Sequence, residues 1–436
     1  MTRLDDVFPR RRNETALTRG WGVRSRPPAT DPASPDGAQP RRGSARVPRG
    51  PAIPAARAHR PRRRAQNETV RTLTRLGSVV VAIFWAACSP AHVPVEVRPA
   101  LATAPVSDDP DDPAVWIHAS VPERSLILGT NKAPAPNGAL VVFGLDGKVR
   151  QTLAGIDRPN NVDVEYGLML QGQATDIAVL TERLRRRLRV FRIASDGSAL
   201  TDVSSAGGLP AFEGEAGEAG EPMGIALYRR VRDGTVFAIV SRKAGPRVGY
   251  LWQYRLEDDG RGRVKATKVR EFGVFSGAGE IEAIAVDDAL GYVYYADEGD
   301  GIHKWYADPD HPEAGRELAH FGTAGFSGDR EGIGIYARED GTGYIICTDQ
   351  LAGQSAYYIY PRQGTPGNPH DHSQLVKGFR GGADSTDGVE VTSASLGARF
   401  PNGLLVAMNS ASRNFLVYRW EDIATVGEPR LLIGRK

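Results

Sequence analysis

Residues 280–298 read EIEAIAVDDALGYVYYADE: two alternating apolar runs, IEAIAV and GYVYYA, joined by DDALG and flanked by carboxylates at both ends. β-Branched and aromatic residues suit a pleated strand, and a glycine-containing turn between two such runs marks a hairpin. Acids are poor strand formers, and crowding them costs energy. The same opening, an acid or amide leading into a short apolar run, recurs along the chain. It appears as DPAVWIH from Asp112, NVDVEYG from Asn161, EPMGIALY from Glu221, EAIAVDD from Glu282, EGIGIYA from Glu331 and DGVEV from Asp387. The intervals are 49, 60, 61, 49 and 56 residues. Each holds two or three further strand-like runs separated by turn signals, as in AVWIH, SLILGT, ALVVFGL, the turn DGK, and VRQTL. Four short strands per unit of roughly fifty residues is the pattern of a propeller blade. The expectation is an all-β fold over residues 105–430: a six-bladed β-propeller with four-stranded antiparallel blades around a central channel. A doubly wound sheet would need helices of about ten or more residues between its strands, and the pattern offers none.

In a propeller the first strand of each blade lines the channel and enters from one face. The six openings therefore place Asp112, Asn161, Glu221, Glu282, Glu331 and Asp387 around one mouth. Glu298 ends the second strand of its hairpin and returns to that face, while Asp111, Asp163 and Asp329 lie beside or within the same motifs. Such a ring repels itself unless cations fill it. Oxygen donors without His or Cys favour calcium, which accepts six to eight oxygens in flexible geometry. The expected metal ligands for several Ca2+ ions are thus Asp111, Asp112, Asn161, Asp163, Glu221, Glu282, Glu298, Asp329, Glu331 and Asp387. A single acid at a strand start commonly caps a turn or faces solvent, whereas six in register form a ring. Three cations follow the second strands of their blades: Lys132 in GTNKAP, Arg183 in LTERLRRR and Lys243 in VSRKAG. Each alone reads as a solvated loop cation. Together, beside an acidic metal cluster, they suit a polyanion such as phosphate.

The net charge of +3 over 436 residues hides an asymmetry. Residues 1–70 hold sixteen Arg, no Lys and six acids, a balance of +10, which leaves −7 for the remainder. The folding domain is acidic, which argues against a nucleic-acid partner. Ten prolines and little apolar periodicity make residues 1–69 a disordered segment in expectation, or the product of a mis-called start with Val70 as initiator. Residues 70–88 carry Arg71 and Arg75, an apolar run, small residues and Cys88, the layout of an export signal. WAACS resembles a lipoprotein cleavage box, with Trp85 in place of the usual aliphatic residue, so Cys88 is an expected lipid anchor. The protein is accordingly expected to be exported, as a periplasmic, outer-envelope or secreted monomer, with 89–104 as a linker. Cys347, the other cysteine, lies in an apolar run and reads as a buried free thiol. No P-loop, G-x-S-x-G elbow or H-E-x-x-H motif occurs, and NPHDH at 368–372 is a weak metal signal in a Pro/Gly-rich loop.

DDPAVWIH, TNK, GALVVFGLDGK, NNVDVEY, IEAIAVDD with GYVYYADE, DREGIGIY and STDGVEV resemble, in that order, the β-propeller phytases. The likeness covers about residues 105–425. It implies a calcium-dependent phosphatase acting on phytate (inositol hexakisphosphate) or another small phosphate ester. It further implies that Asp112, Glu282, Glu298, Asp329, Glu331 and Asp387 hold calcium, with Glu282, Glu298 and Asp387 as the catalytic set that orients water. Lys132, Arg183 and Lys243 match positions that grip phosphate. The sequence departs from the family pattern at Met223, where a tyrosine is usual, and at Ala133, where a second lysine is usual. It departs again at Glu165, where an arginine is common, and at Ser385, where another Asp is expected. Two other functions fit the same fold: a calcium-dependent propeller lactonase, and a non-catalytic propeller that binds a ligand with calcium as an axle.

Overall fold

The computed structural model describes residues 95–436. The Arg/Pro-rich segment, the export signal with Cys88, and the start of the expected linker lie outside the described residues. The hairpin at 280–298 forms as read: Ile284–Asp287 pairs antiparallel with Tyr292–Asp297, Ile284 opposite Tyr295 and Val286 opposite Val293. Its turn closes on Gly291, which takes a φ of 73° and donates its N–H to the Asp287 carbonyl at 2.7 Å. Glu282 stands just ahead of the first strand and Glu298 just after the second.

This hairpin is the inner half of one of six antiparallel blades, each built on four strands. The innermost strands are Pro110–Trp116, Pro159–Leu170, Pro222–Arg229, Ile284–Asp287, Ile333–Ala337 and Val389–Thr392. The next two strands of a blade are covered on both faces by neighbouring blades and so read as continuous apolar runs. Leu126–Asn131 and Ala139–Gly144 are buried throughout, whereas the outer Val149–Ala154 is mostly exposed. Six apolar clusters fill the spaces between adjacent blades. Leu404, Val406 and Phe415 of the sixth blade pack with Ile127, Val141 and Phe143 of the first, so the ring closes.

Hydrogen bonding closes the ring as well. Leu101–Ala102 is the outermost strand of the sixth blade, pairing antiparallel with Asn414–Arg419. Val95–Glu96 runs parallel to Lys377–Arg380 as a fifth strand of the fifth blade. Part of the span expected as a linker thus forms sheet; a two-residue strand has no periodicity by which to be read. Cys347 is fully buried in the fifth blade, and burial pushes its thiol pKa up to about 12.

At the opposite end of the strand from Glu282, Asp287 is clamped by Arg362. Nε and Nη2 donate to its two carboxylate oxygens at 2.6 and 2.7 Å, with both side chains within 1% of complete burial. Nη1 donates to the carbonyls of Arg338 and Thr342. Removing one partner leaves a buried charge without compensation, which costs about 3–5 kcal/mol. Arg362→Leu is expected to lower the urea midpoint accordingly, and Asp287→Leu added to it to restore much of the loss. Equal midpoints for wild type and Arg362→Leu would contradict this.

Candidate functional site

Three of the innermost strands enter the ring through a register shift, between Pro110 and Pro113, Pro159 and Val162, and Pro222 and Ile225. An extra residue at such a point bends the strand and re-aims its side chains. It decides which of two neighbouring polar residues faces the mouth. Asp111, fully buried, turns to the mouth, where Oδ1 accepts from Lys132 Nζ at 2.5 Å. Asp112 faces the channel, where Oδ2 accepts the Val162 backbone N–H at 3.0 Å and so ties the first blade to the second. Asp163 does the same one blade on, accepting the Leu227 N–H at 2.7 Å. These two expected ligands thus each bond to the backbone of the next blade. With Asn161, Glu165, Asp288 and Glu390 they line a central cavity of about 340 Å3.

The mouth gathers the rest. Lys132 Nζ also reaches Asp387 Oδ2 at 3.3 Å, and Gln350 Nε2 donates to the other oxygen of Asp387 at 2.5 Å. Asn160 Nδ2 donates to Glu282 Oε2 at 3.3 Å and to Asn161 Oδ1 at the same distance. Glu298 accepts the Glu280 backbone N–H at 2.8 Å. Carboxylate oxygens of Glu298, Asp329 and Glu331 lie within 4.8 Å of one another. Arg183 Nε pairs with Glu221 Oε2 at 3.0 Å, and Lys243 pairs with Glu280. Glycine permits the tight ring. A Cβ at Gly224 would meet the Glu282 carbonyl oxygen at 2.0 Å, one at Gly332 the Asp387 carbonyl oxygen at 2.6 Å, and one at Gly388 the Asp112 side chain at 1.9 Å.

Electrostatics record the crowding. Burial, then the neighbouring charge of Asp111, pushes the Glu282 carboxyl up to about 7. Burial and Asp329 do the same for Glu298, to about 7. Asp387 rises to about 9 through burial and Asp111, and Glu331 rises well above the carboxylate range through burial and then Glu282, Glu298 and Asp387. Against the cost of its own burial, Asp111, Glu282 and Asp387 hold the Lys132 ammonium well above its usual range. Burial and the nearby Arg183 lower the pKa of Lys243. The donors fit hard cations on a further count: Asp111 Oδ2 and Asn160 Oδ1 are buried polar oxygens without a hydrogen-bond partner. Such atoms are costly unless something coordinates them.

A six-fold rule organises the mouth. The residue directly after the second strand of each blade is, in order, Lys132, Arg183, Lys243, Glu298, Gln350 and Ser410. Blades one to three present cations at this position; blade four presents an acid, and blades five and six neutral polar groups. The site therefore has a basic side facing a carboxylate cluster supplied by the first, fourth, fifth and sixth blades. Gln350 could have been found by carrying the Lys132 position around the ring. Asn160 and Glu280 carried no separate signal, since each sits beside a residue already singled out.

Of the family departures, Met223 is fully buried and offers the mouth no polar side-chain group. Ala133 is buried as well. Glu165 lies down the channel beside Asp288, where burial and that neighbour raise its pKa. Ser385 adopts a φ of 44° and donates to Asp384. Of the histidines of NPHDH, His372 faces the Pro361 carbonyl and Lys304.

A family model described as Phytase matches residues 70–431. A 3-phytase of Bacillus subtilis (strain 168) is 31% identical over 329 residues, spanning 73% of this chain and 81% of that protein. Solved structures with a distant likeness include regucalcin of Agrobacterium tumefaciens str. C58, titled a calcium-binding protein. Its TM-score is 0.43 at 10% identity, covering 72% of this chain and 88% of that one. Another is a protein of unknown function from Bacteroides thetaiotaomicron VPI-5482, with a TM-score of 0.39 at 11% identity, covering 73% and 74%.

Proposed function

The chain belongs to the phytase family, and from that premise we propose that its mouth releases inorganic phosphate from phytate by calcium-assisted attack of water. The observation that carries this reading is the two-sided mouth, in which crowded carboxylates face Lys132, Arg183 and Lys243. Asp111, Glu282, Glu298, Asp329, Glu331 and Asp387 would hold calcium. When bound, calcium neutralises phosphate oxygens and activates water.

The chain's own groups supply position and proton transfer. Lys132, between Asp111 and Asp387, faces the phosphate to be cleaved. Lys243, with Arg183 close enough to lower its pKa, receives with Arg183 a neighbouring phosphate of the same molecule. A polyphosphorylated ring engages both subsites, and its remote phosphates bind substrate and transition state alike. Glu282, Glu298 and Asp387 orient the attacking water and accept its proton as oxygen joins phosphorus. The P–O bond to the inositol carbon breaks, and the alkoxide leaves with a proton from solvent. No covalent enzyme intermediate is needed.

Phosphate release from phytate by the intact protein tests the reading. Arg183→Ala and Lys243→Ala should each raise KM about 10- to 100-fold, as loss of a charge-assisted hydrogen bond of about 1.5–3 kcal/mol implies. kcat should fall less, because this grip acts on substrate and transition state alike. No phosphate release from phytate, as a lactonase or a non-catalytic propeller would show, overturns the proposal.

A further inference from the structure

We infer that the fourth blade carries a second metal site of a different class, formed by His303 Nε2, His320 Nε2 and Asp300 Oδ2 and suited to a transition-metal dication such as Zn2+. It is independent of the calcium reading of the mouth.

The register builds it. His303 on Gly301–Tyr306 is the direct antiparallel partner of His320 on Ala319–Phe321, so both rings project from one face of the blade. They stack with centroids 4.4 Å apart. Asp300, in the turn before Gly301, places Oδ2 3.3 Å from His320 Nε2 and 3.7 Å from His303 Nε2. All three ligand atoms lie within 4.8 Å of one another. Tetrahedral zinc, with bonds of about 2.0–2.2 Å, sets its ligand atoms roughly 3.3–3.5 Å apart. His320, 36% exposed at its side chain, is the arm free to adjust.

Three observations separate this group from an ordinary surface pair. His303 is 2% exposed, yet its Nε2 has no hydrogen-bond partner. Such an orphan is costly where it stands, and the two other ligands lie beside it. Second, His303 Nδ1 lies 2.6 Å from Glu317 Oε1. A carboxylate can only accept, so Nδ1 carries a proton, and the neutral ring then presents its Nε2 lone pair, the carboxylate–histidine arrangement that orients metal ligands. Tyr295, stacked on the other side of His303 at 4.8 Å, fixes the ring plane. Third, a Cβ at Gly301 would lie 2.7 Å from His320 Nε2, so the close approach depends on glycine.

The donor set excludes the mouth's chemistry. Two imidazoles and one carboxylate are ligands of zinc, cobalt, nickel or copper, whereas calcium seeks six to eight oxygens. Three protein ligands leave a position open to water.

The test is titration of the chelator-stripped full chain with Zn2+, and with Co2+ for its visible absorption, in excess calcium so that the mouth is satisfied. One equivalent should bind, and Co2+ should give tetrahedral d–d bands. His320→Ala, at an exposed position that does not threaten the fold, should weaken this equivalent at least about 100-fold, and Glu317→Gln about 10- to 100-fold, the usual effect of losing a group that orients a ligand. Phosphate release by His320→Ala should match wild type. The site is overturned if zinc stoichiometry and affinity are the same in wild type, His320→Ala and Asp300→Asn, or if no equivalent binds in excess calcium.

Discussion

Glu282→Gln should lower phosphate release from phytate by about 10²- to 10³-fold, a loss of about 2.7–4 kcal/mol of transition-state stabilisation. The substitution keeps the shape and an oxygen that can still accept from Asn160 Nδ2. It removes one charge from a group that includes Asp111, Glu298 and Lys132. Two consequences separate a catalytic role from a structural one. The variant should fold as wild type does. In the presence of a chelator at pH 8 it should melt no lower than wild type, because one of the mutually repelling carboxylates is gone. Phosphate release at the wild-type rate would remove Glu282 from the mechanism; a large fall in melting temperature would make its role structural.

Chelation should act in proportion to pH. Without ions, Glu282 and Glu298 titrate near 7 and Asp387 near 9, and Glu331 is raised too. In the unfolded chain these groups lose their protons near pH 4. Between those limits the folded, ion-free protein binds more protons than the unfolded one, so its stability falls as pH rises from about 4 to 9. Calcium reverses the trend, since deprotonated carboxylates are the form that binds it. The melting temperature in CaCl2 minus that in EDTA should be small at pH 5 and exceed about 5 °C at pH 8, with phosphate release lost in EDTA throughout. A gap that does not change with pH, or one that narrows as pH rises, would show that these carboxylates do not hold the ions.

Much of this was written in the chain. The six acid-led openings mark the six innermost strands, and the run from Tyr292 to Glu298 shows how a second strand returns to the mouth. The same reading found Lys132, Arg183, Lys243 and Glu298 because they share one position in successive blades. It passed over Gln350, which has that position but no charge to draw the eye. It treated Asp111 and Asp112 as equivalent neighbours. They are not, because beside the register shift at strand entry one turns to Lys132 and the next to the backbone of the second blade.

By itself the sequence determined the number of blades, their order and the acidic character of one face, because alternation and turn residues are local and recur at each blade. Only the tertiary structure decided which acids meet, how Leu101–Ala102 closes the sixth blade, and that His303 lies opposite His320. Those outcomes depend on register and on close packing between blades, where a one-residue shift turns a side chain to the other face. Segments more than 300 residues apart, such as Leu101–Ala102 and Asn414–Arg419, carry no mark of their pairing until the ring closes.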